Sequence, residues 1–200
     1  MQRKGENDRH YSRNMKVEHK YYNIHQALID RCRRGDSQAQ FEIYRLYYKA
    51  MFNTCLRIVG DATDAEDVMQ ESFFKAFDKI NTYRNEVSFG AWLKQIVVNS
   101  SLDFLKKKKL NTTSIDEVFG LKADEPVEKI DFEPESIENL KRAIMMLPEG
   151  YRLVINLVLV EGYSHEEVSQ MLGISPSTSR SQLTRAKQRL LEILSSTLNI

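Results

Sequence analysis

The chain has 200 residues, and its 29 Lys and Arg nearly balance 28 Asp and Glu, for a net charge of +1. That length fits one large domain or two small ones, and no run approaches the roughly 18 uncharged apolar residues that a membrane span requires. Residues 1–20 are polar and charged where a secretory signal carries an apolar core, and Cys32 and Cys55 match no metal spacing. A soluble, cytoplasmic protein with reduced, packed thiols is therefore expected, with no metal or cofactor.

The first twenty residues read as a disordered N-terminal extension, and Met15 is an alternative start that leaves residues 1–14 without a clear role. A first helix is expected from about Asn23 to Arg33, ending at Gly35. A second runs from about Ser37 to Val59 and stops at Gly60; it is rich in aromatics, with Phe41, Tyr44, Tyr47, Tyr48 and Phe52. A third spans about Asp64 to Ile80. There Ala65, Val68, Met69, Ser72, Phe73, Ala76, Phe77 and Ile80 recur at helical spacing and form the face to be buried. Asp67, Gln70, Glu71, Phe74 and Asp78 project the other way. Residues 61–71 carry a charge of −5, so Phe74 is an aromatic on an acidic face, which suits either solvent exposure or a protein–protein hot spot.

After a polar loop at residues 81–87, a fourth helix from Ser88 to about Lys107 packs through Phe89, Trp92, Leu93, Ile96 and Val97. Its other side offers Lys94, Gln95, Asn99 and Asp103, then Lys106 to Lys109, and the loop adds Tyr83 and Arg84. Aromatic, amide and cationic groups close together suit unpaired nucleic acid, whose bases stack and whose phosphates need cations. A core tryptophan beside a solvated lysine run is the plainer alternative.

Periodicity is lost over 108–134, where Gly, Pro, Asn and Thr mix with dense acid; residues 111–139 sum to −7. This is the composition of a flexible linker. Helices resume near Glu135, break at Pro148 and continue through Tyr151–Val160. The expected organisation is all-α, with small helical domains at 21–107 and 135–200 joined by the acidic linker. Several charge-segregated surfaces follow from such blocks.

Residues 162–191 are the clearest local signal. Ser164 and Glu167 form a capping box, and Gly173 stands where a left-handed helix end is favoured. Ser175 caps the next helix and Pro176 opens it. Leu183, Ala186, Leu190, Leu191 and Leu194 form its apolar stripe, with Arg180, Arg185, Lys187 and Arg189 mostly off it. Two helices, a short turn and a cationic second helix read as a DNA-binding helix-turn-helix, against the alternative of a helical hairpin with a solvated basic face. The four histidines share no ligand spacing, and no phosphate loop, nucleophile elbow or zinc signature occurs, so an enzyme is not expected.

Three segments in order, DAEDVMQESFFKAF (64–77), FGAWLKQIVVNSSLDFLKKKK (89–109) and LPEGYRLVINLVLVEGYSHEEVSQMLGISPSTSRSQLTRAKQRLLEIL (147–194), resemble the extracytoplasmic-function sigma factors of bacterial RNA polymerase, of the sigma-70 family. The resemblance implies two helical domains, regions 2 and 4. It implies core-polymerase docking on the clamp helices of the largest subunit through Asp67, Gln70, Glu71 and Phe74. It further implies melting and capture of the −10 promoter element by Tyr83, Arg84, Trp92, Lys94, Asn99, Asp103, Lys106 and Lys107. The −35 element would be read as duplex by Ser177, Thr178, Ser179, Arg180, Gln182 and Arg185. Gln182 stands where the family commonly has arginine, which implies one lost contact; a bidentate base contact is worth about 1–3 kcal/mol. Implied partners are core RNA polymerase (with its flap for region 4), promoter DNA and an anti-sigma factor, without small-molecule substrate or membrane insertion. The residues alone leave two other readings open: a stand-alone dimeric helix-turn-helix regulator, or a helical adaptor with a solubilising basic face.

Overall fold

A computed structural model describes residues 23–110 and 137–197. The expected N-terminal extension and residues 111–134 of the expected linker lie outside the described residues. Among the described residues, every regular element is helical: α1 (Gln26–Arg33), α2 (Ser37–Val59), α3 (Ala62–Asp78), α4 (Phe89–Leu110), α5 (Ile137–Met145), α6 (Glu149–Ile155), α7 (His165–Leu172) and α8 (Pro176–Thr197). The fold class is all-α, as the periodicity predicts.

Local chemistry sets the helix ends. The Asp36 carboxylate accepts from Gln38 N and Ala39 N at 3.0 and 3.1 Å, and Gly60 closes α2 at φ +89°, a conformation that needs no Cβ. Asp61 accepts from Asp64 N at 2.9 Å, so α3 begins at Ala62, two residues before its expected start. A short 3-10 turn over Ile80–Thr82 then leads towards α4. α4 itself continues to Leu110, taking in three residues expected to belong to the linker.

α1 to α4 enclose a first core in which Ile29, Ile43, Met69, Phe73, Phe89, Leu93 and Val97 are buried. The aromatics stack edge to face around it, Tyr44 with Phe73 at 4.9 Å and Tyr47 with Phe89 at 5.5 Å between centroids. Each large side chain removed from water contributes about 1.5–3 kcal/mol. The second core joins Ala143, Leu153, Leu157, Val168, Leu172, Leu183, Ala186 and Ile193. It also takes Ile58 from α2 and Val98, Leu102 and Leu105 from α4. α4 is therefore apolar on two faces. Leu93 and Val97 face the first lobe, while Val98, Leu102 and Leu105, spaced four and three apart, face the second.

Polar contacts seal the junction between the lobes. Arg57 Nη2 lies 2.6 Å from Glu161 Oε1, Lys94 Nζ 2.9 Å from Glu161 Oε2, and Lys109 Nζ 2.7 Å from Glu149 Oε1. Asn156 Nδ2 donates to Arg57 O at 3.1 Å, and the Arg152 guanidinium covers Gly60 so closely that a Cβ there would meet its Nη2 at 2.7 Å. The helix after α6 widens into one π turn over Asn156–Val160, closed by Glu161 N donating to Asn156 O at 2.9 Å.

Candidate functional site

α3 presents the acidic stripe. Val68, Met69, Ser72, Phe73 and Ala76 fill its inner face, which leaves Asp67, Gln70, Glu71 and Phe74 in solvent. Phe74 is 75% exposed on a helix whose other side is fully packed. Glu71 pairs with Lys75 at 2.8 Å, and that hydrogen bond holds its carboxyl below the usual carboxylate range. Beside Phe74 a groove of about 720 Å³ runs between α2 and α3, lined by Phe41, Tyr44, Gln70, Phe73, Phe74 and Phe77 among others. Phe41, 60% exposed, is the second aromatic wall. Sequence reasoning grouped it with the other α2 aromatics. The available signal was its phase, since Ala39 and Ile43 are buried and Phe41 falls between them.

The α4 face and the loop before it are sorted differently from expectation. Arg84, Asn99, Asp103 and Lys107 are exposed, and Lys106 is half-buried. Trp92 is half-buried, its ring 5.3 Å from Tyr83 and 5.4 Å from Phe89. Tyr83 itself is 3% exposed; its hydroxyl accepts from Asn23 Nδ2 at 3.1 Å and donates to Val87 O at 2.7 Å. Tyr83 thus supports Trp92 from beneath and offers no open face to a base, which corrects its expected role. The loop is held further by Asn85, at φ +59°, whose Nδ2 donates to Gln26 Oε1 at 3.0 Å. Lys94 is ion-paired to Glu161, and in the lysine run Lys108 pairs with Asp64 at 2.6 Å and Lys109 with Glu149.

The helix-turn-helix has the capping chemistry its sequence specifies. Ser164 Oγ accepts from Glu167 N at 3.2 Å while Ser164 N donates to Glu167 Oε2 at 2.8 Å, and Gly173 turns at φ +68°. The second helix starts where Ser175 Oγ accepts from Thr178 N at 3.0 Å. On α8, Ser177, Arg180 and Arg185 are exposed and Thr178 is half-buried. Ser179 and Gln182 are not on that face. Ser179 is fully buried with its Oγ 2.8 Å from His165 Nδ1, and Gln182 is 6% exposed. Both share the inward phase of Leu183, Ala186 and Ile193, so neither presents its side chain on the exposed face of α8, where it was expected. The outward face includes Ser181 and Thr184 in their place, residues that the sequence reading passed over. Leu191, expected in the apolar stripe of α8, is exposed, and Ile193, which that stripe did not include, is buried in the core.

Residues 43–110 match the family model described as Sigma-70 region 2, and residues 137–190 match Sigma-70, region 4. The extracytoplasmic-function (ECF) RNA polymerase sigma factor SigM of Bacillus subtilis (strain 168) is 30% identical over 149 residues, covering 74% of this chain and 91% of that protein. This chain belongs to the extracytoplasmic-function sigma factors of the sigma-70 family. RNA polymerase sigma-H factor of Pseudomonas aeruginosa is 29% identical over 175 residues, 82% of this chain and 91% of that protein. Among solved structures, the sigma factor RpoE of Bartonella quintana, crystallised with the anti-sigma factor NepR, shares the fold at a TM-score of 0.51 and 23% identity, covering 77% of this chain and 95% of that one. As a sigma factor the protein works with RNA polymerase to recognise promoters and initiate transcription, which excludes the stand-alone regulator. No helix among the described residues is long and apolar enough to cross a membrane.

Proposed function

We propose that this sigma factor divides its work among three surfaces, with region 2 within residues 21–107 and region 4 within 135–200. Asp67, Gln70, Glu71 and Phe74 on α3 dock on the clamp helices of the polymerase's largest subunit, and Phe41 completes that site. Arg84, Trp92, Asn99, Asp103, Lys106 and Lys107, with Tyr83 as support, capture the −10 element as its strands part. Stacking on an aromatic contributes about 1–3 kcal/mol per base, enough to offset the few kcal/mol of unstacking. Ser177, Arg180 and Arg185 of α8 grip the −35 duplex while region 4 engages the flap. The factor acts in the cytoplasm and catalyses no reaction itself. The anti-sigma factor bound to the Bartonella relative supports a regulator of that class for this chain too.

The observation that carries this reading is Phe74. An aromatic three-quarters exposed, ringed by acids, on a helix with a complete buried face adds little to folding and has the chemistry of a hot spot. A run-off transcription assay with core polymerase and a cognate promoter tests it. A promoter-dependent transcript that Phe74→Ala abolishes, with helicity intact, is expected. Absence of any transcript together with absence of core binding would refute the reading.

A further inference from the structure

Glu161 is the most deeply placed carboxylate at the lobe junction. Its side chain is 3% exposed, and its two oxygens are divided between two cations of region 2, Oε1 to Arg57 at 2.6 Å and Oε2 to Lys94 at 2.9 Å. Those cations stay 30% and 34% exposed, at the rim of the contact. One anion with two oxygens, each bonded to a separate cation, is also the arrangement a phosphodiester makes through its two non-bridging oxygens. We propose that Arg57 and Lys94 form a binding site for a DNA backbone phosphate, which Glu161 of region 4 occupies in the closed protein and must vacate before region 2 engages a promoter. The inference rests on the reading of α4 as the −10 face; it gives Lys94, which the resemblance places on that face, a defined partner, and it adds Arg57, which that reading does not include.

Two further features fit a contact made to be broken. First, the carboxylate is positioned by an irregular element: the π turn over Asn156–Val160 ends at Glu161, and fully buried Asn156 ties it to the backbone at Arg57. π turns occur frequently at functional sites. Second, the polar rim around the shared apolar core of the junction is incompletely matched, because Arg57 Nε, Arg152 Nε and Asn156 Oδ1 are buried without a hydrogen-bond partner. A permanent interface seldom retains such atoms. Reach also requires opening. Elements 25 base pairs apart lie roughly 85 Å apart along B-DNA at about 3.4 Å per base pair. A compact body of the size of the described residues, 23–110 and 137–197, has a radius of gyration of about 15 Å, so it is only roughly 40 Å across.

The test uses the full chain with Glu161→Gln, which keeps the shape and removes the charge. Binding of a fluorescein-labelled forked oligonucleotide is measured across a salt series, and the radius of gyration by small-angle scattering. The variant should bind at least fivefold more tightly at about 0.1 M salt, with a log–log salt slope steeper by about 1–2, and should be expanded when free. Adding Arg57→Gln and Lys94→Gln should return affinity to the wild-type level. Unchanged affinity in Glu161→Gln overturns the proposal, as does a gain that survives loss of both cations. Should the variant lose its cooperative melt, hydrogen exchange on the wild-type chain decides instead: residues 153–163 should exchange faster once the oligonucleotide is bound, and equal protection overturns closure. Run-off transcription separates this from the underlying reading. If wild-type transcription and its loss in Asn99→Ala stand while Glu161→Gln gains nothing, only the phosphate site fails. If Asn99→Ala transcribes normally, the −10 reading fails with it.

Discussion

Phe73 and Phe74 are adjacent, chemically identical and predicted to fail in opposite ways when truncated to alanine. Phe73 is 3% exposed, with its ring against Tyr44 and Phe77, whereas Phe74 is 75% exposed. Burying a phenylalanine is worth about 1.5–3 kcal/mol, so the quarter of Phe74 that is covered contributes less than about 1 kcal/mol. Phe74→Ala should thus lower Tm by no more than about 4 °C. Phe73→Ala leaves a cavity in the first core and should cost about 3–5 kcal/mol, near 10 °C in Tm. Binding reverses the order. A hot-spot truncation costs about 2–4 kcal/mol, which at about 1.4 kcal/mol per decade weakens core-polymerase affinity roughly 30- to 700-fold in Phe74→Ala. Thermal melts by circular dichroism and fluorescence titration with core enzyme measure both axes. If Phe74→Ala bound core within threefold of wild type, or lost more than about 8 °C in Tm, the outward aromatic would not be a docking residue.

On α8 the same separation should hold: Arg185→Ala should weaken −35 duplex binding by about 1–3 kcal/mol in filter-binding assays with an unchanged melt, while Gln182→Arg should lower Tm because it forces a guanidinium into the inward phase. Asp36 is held below the usual carboxylate range, chiefly by Arg31 and also by the Ala39 backbone N–H. Because folding lowers this pKa, the stabilisation is present above the ordinary carboxylate range and lost as pH falls through the lowered value. Asp36→Asn should flatten the acid limb of Tm against pH, and an unchanged limb would contradict the assignment. Burial pushes the Cys55 thiol up to about 11, so native protein should leave Cys55 unlabelled by a thiol reagent near pH 8 and expose it only on unfolding; rapid native labelling followed by peptide mapping to Cys55 would argue against that burial.

The sequence determined what depends on neighbours within a turn or two of helix. Asp36 and Gly60 bracket α2, the Ser164–Glu167 box and Gly173 bracket α7, and the 3.6-residue phase of α3 separates Phe73 from Phe74. These effects are local in the chain, so spacing alone reveals them. Family membership was legible for the same reason, since its motifs are short and ordered.

Tertiary structure decided whatever joins distant segments. Tyr83 looked available for stacking until Asn23, 60 residues away, took its hydroxyl. The resemblance alone places Ser179 and Gln182 in the groove, because they fall within the segment that matches the family's recognition-helix motif. The packing of α7 and the rest of region 4 against α8 fixed their inward phase, with His165 bonded to Ser179. Val98, Leu102 and Leu105 gave α4 a second apolar face whose purpose appears only when region 4 covers it. The Arg57–Glu161 pair spans 104 residues, and nothing within a helical turn of either residue announces the other. Placing a charge beside its partner across such a separation is the work of the packed core, not of the local chain.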